Sequence, residues 1–131
     1  MYQDWSAHTI LIAEDDEISF KYLDLLLSRK TNANVIWAIN GQMAVEYCRQ
    51  FNQIDIVLMD IQLPVIDGVE AIRQIKAFKP SLPIIVQTAN AFGDECDRCF
   101  EAGCNDFITK PVNIQQLFLK IENFLNPALV R

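Results

Sequence analysis

Four acidic residues, a hydroxyl and a lysine stand directly after short apolar runs, where an ionised or polar group is costly unless something compensates it. Asp60 follows "IDIVLM"; Glu14, Asp15 and Asp16 follow "TILIA"; Thr88 closes "PIIVQT", with Ala89 next; Lys110 closes "DFITK" and precedes Pro111. Carboxylates gathered at one rim repel one another, which raises a pKa or costs on the order of several kcal/mol. A hard divalent cation removes that conflict, and Mg²⁺ prefers a few carboxylate oxygens together with waters and phosphate oxygens. With a lysine as point charge and a hydroxyl as donor, the same set suits an incoming phosphoryl group. In that chemistry Asp60 is the nucleophile and an acyl phosphate is the product. An aspartate after a strand more often caps a helix, and Asp16 and Asp67 fit that role because each precedes a helical segment. Asp60 does not, since the following "IQLP" starts no helix.

The elements that must position these groups are legible in the hydrophobic pattern. Short runs rich in Ile, Val and Phe predict strands over 9–13, 34–39, 54–59, 83–88 and 106–110. Between them lie segments of helical period. The first is expected to bury Ile18, Tyr22, Leu25 and Leu26; the second, "GQMAVEYCRQF", buries Ala44, Tyr47, Cys48 and Phe51. The third runs over 68–78 and stops before the prolines of "KPSLP". The fourth, near "DECDRCFEAG", ends at Gly103, a candidate left-handed terminator. The fifth carries Ile114, Leu117, Phe118, Ile121 and Leu125 on one face. Strand and helix in strict alternation, with strands apolar throughout, predict a parallel five-stranded sheet covered on both faces, an α/β doubly wound (βα)5 three-layer sandwich. In such a sheet ligands bind beyond the carboxyl ends of the strands, which is where the acidic residues, Thr88 and Lys110 fall.

The chain has 131 residues and a net charge of −6, enough for one ordinary core and not two. No lysine or arginine run is present to neutralise a phosphate backbone, so direct nucleic-acid binding is not expected. No apolar stretch reaches the ~20 residues of a membrane span, and "MYQDWSAH" lacks the pattern of a signal peptide, so a cytoplasmic location without membrane contact by this domain is expected. Residues 1–8 read as a leader or linker remnant with Trp5 docked on the domain edge, 9–126 as the domain, and 127–131 as a tail. Cys96 and Cys99 form a C-x-x-C whose helical spacing shares one face, which would allow zinc or a redox pair. Packing is the better reading, because Phe100 and Gly103 continue the stripe, no second ligand pair follows, and His8 lies far off.

The segments "ILIAEDDE", "LMDIQLPVIDG", "VQTANA" and "DFITKPV", in this order, resemble the receiver domain of two-component response regulators over nearly all of 9–126. The resemblance implies a flavodoxin-like fold with strand order 2-1-3-4-5. It implies that Asp60 is the phosphoacceptor, taking a phosphoryl group from a phosphohistidine on a histidine kinase or a histidine phosphotransfer protein. Asp15 is then a direct Mg²⁺ ligand with Glu14 acting through water, and Gln62 offers its backbone carbonyl to the ion. Thr88 corresponds to the switch hydroxyl, assisted by the Ala89 N–H; Lys110 pairs with the phosphate, and Pro111 suits a cis bond. Phe107 corresponds to the switch aromatic, with Phe where Tyr is common. Leu63 and Ile66 replace frequent methionines with similar volumes. The face made by the fourth helix, fifth strand and fifth helix is the expected signalling and homodimer surface.

A haloacid-dehalogenase-like phosphatase also uses Asp, Thr and Lys on a parallel sheet, but it needs an aspartate where this chain has Gln62. A flavodoxin relative would need a phosphate-cradling loop where this chain has "EDDE". The expected protein is therefore a bacterial signalling module rather than an enzyme in its output, although it catalyses its own phosphorylation and dephosphorylation. The leader and the style of "MDIQLPVIDG" resemble receivers at the C-terminal end of hybrid sensor histidine kinases; a free-standing single-domain regulator is the alternative.

Overall fold

A computed structural model describes residues 3–90 and 92–126. The strands are β1 (Thr9–Ala13), β2 (Asn34–Ala38), β3 (Ile54–Asp60), β4 (Ile84–Thr88) and β5 (Asp106–Thr109). They alternate with α1 (Glu17–Lys30), α2 (Gly41–Gln50), α3 (Gly68–Phe78), α4 (Asp94–Ala102) and α5 (Ile114–Leu125). All strand pairs are parallel and the sheet order is β2-β1-β3-β4-β5. The reversal of order lies between β1 and β3, so their carboxyl ends open side by side.

Strand side chains alternate between two cores, as a period of two requires. Leu11, Ala13, Val57, Met59, Ile84 and Val86 face α2, α3 and α4, packing with Ala44, Ile72, Ile75 and Cys99. Ile10, Ile12, Ile56, Leu58, Ile85 and Ile108 face α1 and α5, packing with Leu23, Leu27, Leu117 and Ile121. The expected strands hold to within a residue at their ends. β2 stops at Ala38, leaving Ile39 exposed, and β4 starts after Pro83, which has no N–H for a ladder. β3 continues through Asp60, so the acidic residue is part of the strand itself.

Three expectations are corrected. On α1 the buried residues are Leu23 and Leu27, with Phe20 stacked on Trp37 at 4.4 Å, whereas Ile18, Tyr22 and Leu25 are exposed. The helix carries apolar side chains on more than one stripe, and the stripe 20, 23, 27 is the one that meets Ile10, Ile12 and α5. Phe100 does not join the Cys96 and Cys99 stripe; it is 44% exposed and sits edge-on to Phe107 at 6.0 Å. Residues 3–8 are tied to the domain at Gln3 and Trp5. Trp5 is buried rather than at an edge, tilted against Phe118 at 4.9 Å, and its N–H donates to Asn32 Oδ1 at 2.6 Å, while Gln3 N–H donates to the Lys30 carbonyl. The expected tail, 127–131, lies outside the described residues.

Candidate functional site

Asp60 is the last residue of a strand whose preceding four residues are fully buried, so its carboxylate is held at the sheet edge with its side chain only 10% exposed. The Gln62 N–H donates to its Oδ1 at 3.1 Å, and Lys110 Nζ donates to its Oδ2 at 3.3 Å. Lys110 is itself held from behind, because its backbone N–H donates to the Thr88 carbonyl at 2.8 Å; its bond to Pro111 is cis. The same ammonium group lies 3.6 Å from Glu14 Oε1.

Glu14 follows β1 and is 2% exposed. Its backbone is clamped: its N–H donates to the Ala38 carbonyl at 3.0 Å, and the Trp37 indole donates to the Glu14 carbonyl at 2.7 Å. Burial, followed by the nearby negative charge of Asp60, pushes the Glu14 carboxyl up to about 7, against the pull of Lys110. Its Oε2 accepts from the Asp16 N–H at 3.3 Å, while Oε1 is buried without a hydrogen-bond partner. Asp15 is exposed beside it, and one carboxylate oxygen from each of Glu14, Asp15 and Asp60 lies within 4.8 Å of the others. A partnerless buried oxygen in an all-oxygen, acidic donor set fits a hard divalent cation such as magnesium. Among the described residues this is the only such group of metal-capable side chains.

The remaining expected residues fall in three places. Gln62, Thr88 and Ala89 line the same cleft, of about 530 Å³, with Lys110. Thr88 makes no hydrogen bond to Asp60: its hydroxyl donates to the Asn90 carbonyl and accepts from the Asn90 N–H, both at 3.1 Å. Phe107 lies outside the cleft, half-buried on β5 against Phe100, with the Lys120 ammonium 5.8 Å from its ring centre. Asp16 and Asp67 cap α1 and α3, accepting from the Ser19 and Glu70 N–H groups. The thiols of Cys96 and Cys99 are buried, and burial pushes Cys99 up to about 11, so neither is poised as a ligand or nucleophile.

The loop after Asp60 is shaped by close approach and by one unusual residue. A Cβ at Gly68 would lie 2.4 Å from the Asp60 carbonyl oxygen, so only glycine lets α3 start against the end of β3. Val65 has φ 72°, in the left-handed region that a β-branched residue rarely adopts. Sequence reasoning missed Val65, the Trp37 contact and Gln87. Gln87 pairs in register with Asp60, is 2% exposed, and carries a partnerless amide Nε2. The signal for Gln87 was available, since it is a polar residue inside an apolar run, the same feature that singled out Asp60.

Comparison with known proteins agrees with this geometry. The profile of the response regulator receiver domain matches residues 10–122. A cyclic di-GMP phosphodiesterase of Thermotoga maritima is 41% identical over 117 residues, which are 89% of this chain and 31% of that protein. The chain spans from 31% down to 5% of the length of the curated relatives considered, which include hybrid signal transduction histidine kinases of Dictyostelium discoideum. Among solved structures, the receiver domain of a Pseudomonas aeruginosa sensor histidine kinase, with magnesium coordinated in its active-site cleft, is 31% identical with a TM-score of 0.82, covering 91% of this chain and 98% of that one. The receiver domain of the Saccharomyces cerevisiae response regulator Ssk1, solved with the histidine phosphotransfer protein Ypd1, gives 31% and 0.82, covering 89% and 88%. Five parallel strands in this order, an acidic cluster at their carboxyl ends and a matching profile over most of its length place the chain in the response regulator receiver domain family of two-component signal transduction.

Proposed function

We propose that Asp60 is the phosphoacceptor of this receiver, taking a phosphoryl group from a phosphohistidine. The observation that carries the reading is the placement of the Asp60 carboxylate, 3.3 Å from Lys110 and gathered with Glu14 and Asp15 at the sheet edge. In the transfer an Asp60 carboxylate oxygen attacks phosphorus, the phosphorus–nitrogen bond breaks, and the departing imidazole keeps the bond electrons and takes a proton from solvent. Lys110 faces the phosphoryl oxygens as they arrive and exchanges its contact with Glu14 for them. Glu14, Asp15, Asp60 and the Gln62 carbonyl would hold magnesium, which when bound supplies the remaining positive charge. The Thr88 hydroxyl, now satisfied by Asn90, changes partner to the phosphoryl group, with the Ala89 N–H as a second donor, and Phe107 follows into the space on the α4 side.

The phosphodonor is a histidine kinase or phosphotransfer protein; the likeness to a receiver crystallised with such a protein supports it. The reading of the parent chain as a hybrid sensor histidine kinase rests on likeness to kinase receivers. The output is a conformational change rather than a released product, and the face of α4, β5 and α5 carries it to partners or to a second copy. Phosphoramidate, a small donor with a phosphorus–nitrogen bond, tests the reaction directly. With Mg²⁺ the wild type gains a single phosphate of ~80 Da in intact mass, and Asp60→Asn and a chelated sample gain none. Labelling that persists in Asp60→Asn refutes the assignment.

A further inference from the structure

Trp37 stands outside the acidic cleft, on the edge strand β2, yet its side chain is bonded to the segment that carries two of the three clustered carboxylates. Pairing between β1 and β2 ends at Ala13 and Ala38, with one further bond from the Glu14 N–H to the Ala38 carbonyl. Beyond that point the donor to the Glu14 carbonyl is the Trp37 indole N–H, at 2.7 Å, in place of a ladder N–H. The indole is held in its turn, half-buried and stacked on Phe20 of α1 with ring centres 4.4 Å apart and planes 5° apart. Asp15 has no comparable support of its own. It is exposed, and the hydrogen bonds and ion pairs that the described residues make at the cleft leave it out, those of Glu14 and Asp60 running to Asp16, Gln62 and Lys110.

We infer that Trp37 is a positioning residue for magnesium: by holding the Glu14 carbonyl it sets the peptide plane from which Asp15 departs, and so brings the Asp15 carboxylate into the ligand set. The inference rests on the reading of Glu14, Asp15 and Asp60 as the residues that hold the ion. A peptide unit is rigid, so the direction of the Glu14 carbonyl fixes where the nitrogen and Cα of Asp15 lie. The far side of Asp15 is fixed by Asp16, whose N–H donates to Glu14 Oε2 and whose side chain caps α1. With both neighbours held, the Asp15 carboxylate has only its own rotamers left to search. A hydrogen bond that orients a ligand without touching the metal commonly carries about 10–100-fold in affinity.

Magnesium alone, titrated into the isotopically labelled, unphosphorylated chain at about pH 8.5 and followed at the Asp15 and Gln62 amides by nuclear magnetic resonance, tests the inference; the Glu14 proton does not compete there. The expected result is saturable binding by the wild type and an affinity about tenfold lower in Trp37→Phe, which keeps a ring for Phe20 and loses the donor. Trp5→Phe separates positioning from folding, since Trp5 belongs to the core that Phe20 packs against: it lowers stability in denaturation and binds magnesium as the wild type does. If Trp37→Phe fails to fold, the Trp5→Phe chain, whose one remaining tryptophan is Trp37, is made with 3-benzothienylalanine in place of tryptophan. Sulfur then stands where the indole N–H was, shape and stacking stay, and the same tenfold loss is expected. Equal affinity with and without the Trp37 donor, or an equal loss in Trp5→Phe, overturns the inference and leaves the magnesium reading standing. A wild type without saturable binding overturns both.

Discussion

Glu14 and Asp60 are two acids held at one edge with a single ammonium group between them, and their energetics follow from that count. The raised Glu14 carboxyl means the folded, metal-free protein keeps a proton up to about pH 7 that the unfolded chain releases near 4.5. The sign follows from linkage: the stability that the Glu14 carboxyl contributes to the metal-free protein is lost as pH rises from about 4.5 to about 7, and does not change above that window. A bound cation must displace the same proton. Apparent Mg²⁺ affinity therefore falls by up to about tenfold per pH unit below about 7, and is constant above it. Calorimetric titrations between pH 5.5 and 8.5 check this, with Glu14→Gln expected to flatten the slope. A wild-type affinity independent of pH over that range would show that Glu14 is not the titrating group. Trp37 offers an optical readout, since its indole donates directly to the Glu14 carbonyl.

The elements around the site differ in how plainly they can be read from sequence. α3 is capped by Asp67 and begins at Gly68, and the turn before it holds Val65 at φ 72°. The left-handed region costs a side chain with a Cβ about 1–2 kcal/mol, and asparagine tolerates it better. Because Val65 is 74% exposed and loses little packing, Val65→Asn is expected to stabilise the domain by about 1 kcal/mol in urea denaturation. A destabilised variant would mean that Val65 makes contacts worth more than the strain.

Such strain was not legible, because nothing in "LPVIDG" announces which residue takes positive φ. The strands were legible, since buried parallel strands are continuous apolar runs whose ends carry the polar exceptions. α1 was misread for the opposite reason: a helix with apolar residues at 18, 20, 22, 23, 25, 26 and 27 offers several faces, and tertiary packing chose between them. Of the candidate site, Asp60, Glu14, Asp15 and Lys110 were readable as polar groups at strand ends. The partnering of Thr88 with Asn90 was not, because a hydroxyl rotates to whichever acceptor is near.

At the scale of the whole molecule, the sheet separates two cores, and the segment before β1 belongs to one of them. Trp5 closes the layer of α1 and α5 alongside Leu27 and against Phe118. Trp5→Ala is expected to cost about 3–5 kcal/mol in chemical denaturation, as for other buried aromatics, without altering phosphorylation of the folded fraction. A loss below about 1 kcal/mol would show that 3–8 merely rest on the surface. The two cores hold five strand ends rigidly at one edge, and the account's central claim is that this edge delivers a phosphoryl group to one carboxylate. Borohydride reduction of the phosphorylated chain, followed by peptide sequencing in a mass spectrometer, tests it most directly, because reduction converts an aspartyl phosphate to homoserine. The expected result is homoserine at position 60 alone; homoserine at position 15, 16 or 67 with Asp60 intact would contradict the account.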